Sequence, residues 1–142
     1  MNHKLFFHYL SYLQYPLLFG VLYFSYRMNS GKYNNSSLSD FNSLLVLMGL
    51  AVSFSTLQDT KKVSVSFEKK VWENPKYGKI AINLVIGLTF IILAFGIFGF
   101  FISTNEKIKE VSFGAIVLGI GFVGFTKTAL EIFENHRKDT EN

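Results

Sequence analysis

IAINLVIGLTFIILAFGIFGFFI, residues Ile80–Ile102, runs for 23 residues without a charge, and its reading decides the fold. At ~1.5 Å of rise per residue it makes a helix about 34 Å long, enough to cross a hydrocarbon core of roughly 30 Å. A soluble domain seldom holds a helix this long that is apolar all round. The chain therefore reads as a membrane protein.

Three further apolar blocks stand around this one. The first, residues 5–26, is bounded by Lys4 and Arg27 and carries His8, Ser11, Gln14 and Pro16. Proline removes one helix hydrogen bond, so Pro16 predicts a kink. The second block, 41–57, is shorter, and Ser53, Ser55 and Thr56 cluster near its end. The fourth, 111–127, follows a turn so short that it forces an antiparallel hairpin with the third. Ser37-Leu-Ser-Asp40 and Ser103-Thr-Asn-Glu106 have capping-box spacing ahead of blocks two and four, and Asn74-Pro75 reads as an N-cap with proline in the first turn. The expected fold is an all-α integral membrane protein, a single four-helix transmembrane bundle over 1–142, with a charged tail over 128–142.

Between blocks two and three lies 58–79, with six lysines and the single tryptophan. Val63, Phe67 and Val71 recur at helical spacing, so this reads as a short amphipathic helix lying in the interface. Lys61, Lys62, Lys69, Lys70, Trp72, Lys76 and Lys79 are its candidate lipid contacts, each basic residue contributing about 1 kcal/mol near an anionic surface. With four spans, this loop shares a side with both termini. That side holds ten of the 14 basic residues, so the positive-inside rule puts it in the cytoplasm. The expected location is a bacterial inner membrane.

Composition narrows the chemistry. The absence of cysteine excludes disulfides and thiolate metal sites. The net charge of +4 resides in short loops and reads as a topology signal rather than a nucleic-acid footprint. No phosphate-binding loop, nucleophile elbow or paired-carboxylate pattern occurs. His3, His8 and His136 fall on one predicted side, but helix-end histidines are mostly surface or hydrogen-bonded residues, so no metal or cofactor is expected. The apolar blocks contain no acidic or basic residue at mid-depth, where coupled transporters place one.

Two residue sets remain as candidate sites. Gly96 and Gly99 in block three, with Gly114, Ala115, Gly119, Gly121 and Gly124 in block four, form small-residue strips that let helix backbones approach. His8, Ser11, Tyr12, Gln14 and Tyr15 form a polar edge on block one. The leading expectation is a non-catalytic accessory or assembly subunit that packs, through the glycine strips, with a membrane protein partner or with copies of itself. A small homo-oligomeric channel or transporter, lined by the block-one edge, is the alternative. A holin- or toxin-like membrane-active protein is a third.

Overall fold

The computed structural model describes residues 3–30, 37–57 and 71–136. Among them every regular element is helical. In chain order these are α1 (His3–Ser11), α2 (Gln14–Asn29), α3 (Ser37–Ser55), α4 (Pro75–Ile102) and α5 (Glu106–His136). Leu5–Asn29, Leu38–Ser55, Pro75–Ile102 and Glu106–His136 are each long and apolar enough to cross a membrane. The first of these contains α1 and α2.

The helices stand in a row, in the order α2, α3, α5, α4, each packed chiefly on its neighbours. Gly20 lies against Leu47, and Arg27 pairs with Asp40, so α2 and α3 are antiparallel. Ser39 donates to Glu110, and Gly49 meets Leu118, so α3 and α5 are parallel. Gly78 meets Phe133 and Gly99 meets Ser112, so α4 and α5 are antiparallel. Both chain ends therefore point to the same end of the row, called the near side below. α5 is the most buried of the four, with Val111, Ala115, Leu118, Ala129 and Phe133 all enclosed.

The helix ends follow local chemistry. Asn74 caps α4, its Oδ1 accepting from Lys76 N at 3.0 Å and Tyr77 N at 3.4 Å, with Pro75 in the first turn where its missing N–H costs nothing. The other two caps differ from the sequence reading. The cap of α5 is Asn105, not Ser103: its Oδ1 accepts from Lys107 N at 3.0 Å, while Ser103 Oγ accepts from Asn105 N at 3.1 Å. At α3, the Asp40 carboxylate is ion-paired with Arg27 of α2, 2.9 Å from its Nε.

Two boundaries shift as well. The fourth helix runs past the 111–127 block to His136, as Ala129, Ile132 and Phe133 carry its apolar stripe onto α4. Of the segment 58–79, residues 58–70 lie outside the described residues, and Pro75 to Lys79 already belong to α4. Trp72, read as a lipid contact from the sequence, is buried within the described residues. It is 7% exposed and packs with Ile82 of α4 and Ala129 and Phe133 of α5.

Candidate functional site: a polar belt across the helix row

Pro16 shapes the first helix one turn upstream of itself. Its ring cannot donate to the Tyr12 carbonyl and crowds it. The chain leaves α-geometry at Tyr12 and Leu13, and the freed Tyr12 oxygen accepts from Tyr15 N instead, at 3.1 Å. Around this break Ser11 is fully buried, its Oγ donating to the His8 carbonyl at 2.7 Å, and Gln14 is buried too. Tyr12 and Tyr15 point outward, their rings stacked at 6.1 Å, with Tyr12 Oη 3.3 Å from His8 Nε2. The polar edge thus divides into a buried pair, Ser11 and Gln14, and an exposed pair, Tyr12 and Tyr15, with His8 between them.

The register of the row brings further polar groups to the same level. Stepping back from the Arg27–Asp40 and Gly20–Leu47 contacts sets Ser11, Gln14 and Tyr15 beside Ser53, Ser55 and Thr56. Thr56 in turn meets Gly124, and its carbonyl accepts from Thr128 Oγ1 at 3.5 Å. On the other flank of α5, Thr126 Oγ1 lies 3.4 Å from Thr89 Oγ1 of α4. One belt of hydroxyls and an amide therefore crosses all the helices at the level of Thr89, nine residues inside the uncharged run of α4.

Most of these hydroxyls spend their proton on their own helix. Ser53 donates to Gly49 O, Ser55 to Val52 O, Thr56 to Ser53 O, Thr89 to Val85 O and Thr126 to Phe122 O, all between 2.7 and 2.8 Å. Such back-bonding satisfies the donor and leaves oxygen lone pairs facing neighbours. The belt can therefore accept hydrogen bonds. It holds no nucleophile with an adjacent base, and no group of three or more potential metal ligands occurs among the described residues.

The same register moves a charge. Gly78 opposite Phe133 and Thr89 opposite Thr126 set Lys127 level with Val85 to Leu88, inside the uncharged run of α4. Lys127 Nζ lies 3.7 Å from Glu131 Oε1, one turn nearer the near side. Beside it, a groove of about 330 Å³ opens between α4 and α5. Block-by-block reading hid this charge, because only the packed register shows how far α5 is offset from α4.

The glycine strips are consumed inside the chain. Gly96, Gly99 and Gly119 face the α4–α5 contact, against Ile116, Ser112 and Leu93 in turn. Gly114 and Gly121 face α3, against Asn42 and Gly49, while Gly124 touches Thr56 at ordinary distance. Ala115 is buried. Three close approaches escaped the sequence reading: Gly20, Gly49 and Gly78. Gly49 and Ser53 are spaced as a small-xxx-small pair, which the sequence reading passed over in favour of the strips on blocks three and four. Lys76 and Lys79 are exposed on the first turn of α4, and Lys61, Lys62, Lys69 and Lys70 lie outside the described residues.

Comparison with protein-family models, with curated proteins and with solved structures found no match.

Proposed function

We propose that the row stands across a bacterial inner membrane, both termini cytoplasmic, as a non-catalytic accessory subunit. Its partner contact is the aromatic edge of α2, where a transmembrane helix of another subunit supplies hydrogen-bond acceptors. One observation carries the reading. Tyr15 is 51% exposed at the belt level, near the middle of the Leu5–Asn29 span. Its hydroxyl has no hydrogen-bond partner among the described residues. A hydroxyl facing hydrocarbon unpaired costs several kcal/mol, and an acceptor on a neighbouring helix removes that cost. Phe19, Leu22 and Tyr26 continue the same open face. The glycines are spent on the chain's own packing, which moves the contact from α4 and α5 to this edge.

The belt supports a second reading, a small oligomeric channel or transporter. Hydroxyls from every helix at one level suit a hydrated path better than lipid. Ser11 and Gln14, however, face inward against α3.

Gentle extraction from the native membrane, followed by mass and composition of the complex, tests the first reading. A second protein at fixed ratio, lost on Tyr15→Leu, is the expected result. A homo-oligomer whose ion flux falls on Gln14→Leu would replace it with the second reading.

A further inference from the structure

The α4–α5 groove has a polarity of its own. Phe90 of α4 and Val123 and Leu130 of α5 wall it, the Thr89–Thr126 pair lies at its base, and Lys127 stands at its lip. At ~1.5 Å per residue, Lys127 is roughly 8–12 Å inside the near end of the uncharged run. Its side chain is 81% exposed and its ammonium is displaced toward Glu131, in the direction of the near surface. A lysine at such depth extends along the helix until its charge meets polar surroundings.

The structure assigns this groove, we propose, to a single anionic phospholipid, with one acyl chain in the groove and the phosphate at Lys127. The groove, about 330 Å³, is lined by apolar side chains save for Thr89, Thr126 and Lys127. That matches part of an acyl chain. A transmembrane helix could set side chains into the groove, but an apolar one would bring no anion to Lys127. The order of the parts is that of a lipid: the apolar seat lies deep, and the cation stands between seat and surface. Glu131 competes with the phosphate for Lys127, so it tunes the site downward. The inference depends on the membrane placement proposed above but not on the α2 contact, which lies at the other end of the row.

The test uses the full chain in neutral detergent, titrated with phosphatidylglycerol or phosphatidylcholine of the same acyl chains and read by native mass spectrometry. The expected result is a preference for phosphatidylglycerol that falls about fivefold in Lys127→Gln, the loss of one charge contact. The preference rises in Glu131→Gln and stays unchanged in Lys109→Gln, on the far side. The lysines of 58–70 are present in every variant, so their contribution cancels. Val123→Trp, which fills the groove, weakens both lipids equally. An undiminished preference in Lys127→Gln overturns the assignment, whatever becomes of the groove variant. So does a dimer in which Phe90→Cys and Val123→Cys crosslink between copies. The association of the α2 edge with its partner is read separately and is expected to survive all four substitutions.

Discussion

Gly49 and Gly121 oppose each other across the α3–α5 contact: a Cβ on Gly121 would lie 2.5 Å from the Gly49 carbonyl oxygen. A Cβ on Gly49 would lie 2.8 Å from the backbone of Leu118. Both obstacles are main chain, which cannot rotate away as a side-chain tip can. In lipid, helix association comes largely from such close van der Waals contact. Gly121→Ala is therefore expected to destabilise the chain by about 1–3 kcal/mol, the usual cost of overpacking. Gly87→Ala meets nothing within 4 Å and is expected to be neutral or to stabilise by up to about 1 kcal/mol, through helix propensity. Thermal unfolding of the two variants in one detergent compares them directly.

The Arg27–Asp40 pair ties α2 to α3. Asp40 is 4% exposed, whereas the Arg27 side chain is about one-third exposed. The two truncations are therefore unequal. Arg27→Gln leaves a carboxylate enclosed without its cation and is expected to cost about 2–4 kcal/mol. Asp40→Asn leaves a cation that reaches solvent and costs less. The double variant recovers part of the loss, and a double-mutant cycle on unfolding midpoints measures the coupling. An additive cycle would mean that the pair contributes nothing.

Trp72, the single tryptophan, makes its own environment readable. Its ring packs on Ile82, Ala129 and Phe133, so its emission is expected to be blue-shifted and weakly quenched by lipids brominated along their chains. Strong quenching would place the ring in lipid instead. Trp72→Ala is expected to cost about 3–5 kcal/mol, the range for emptying a large aromatic site. Retention of the wild-type midpoint would contradict the packing.

The number and type of helices were legible because each block is long, apolar and bounded by charge. The kink at Pro16 and the Asn74-Pro75 start were legible because their causes are local. Trp72 reads as a lipid contact in the sequence because a tryptophan beside lysines suits an interface, whereas its packing on Ile82, Ala129 and Phe133 depends on how α4 and α5 meet. The Lys127 level and the assembly of the belt stayed hidden for one reason. Each depends on how far one helix is shifted along another, and no single block encodes that shift. Asp40 and Ser103 show a smaller version: the capping spacing is present, but longer-range or neighbouring partners take the side chains.

The Thr89–Thr126 contact lets magnitude decide what holds α4 to α5. The oxygens are 3.4 Å apart, and each hydroxyl already donates to its own helix. Each hydroxyl has a single proton, so the two oxygens bond only when one of them shares that proton with its backbone acceptor, and polar contacts between membrane helices average only about 0.6 kcal/mol. Thr89→Val and Thr126→Val are each expected to cost less than about 1 kcal/mol, with a coupling near 0.5 kcal/mol. Gly96, by contrast, would bring a Cβ to 2.8 Å from Ile116 Cγ1 and 2.9 Å from its backbone nitrogen. Gly96→Val is expected to cost several times more than either threonine change. Unfolding of the three variants by chemical denaturant in mixed micelles ranks them. If the threonine pair outranked the glycine, hydrogen bonding rather than backbone approach would be what fixes the hairpin.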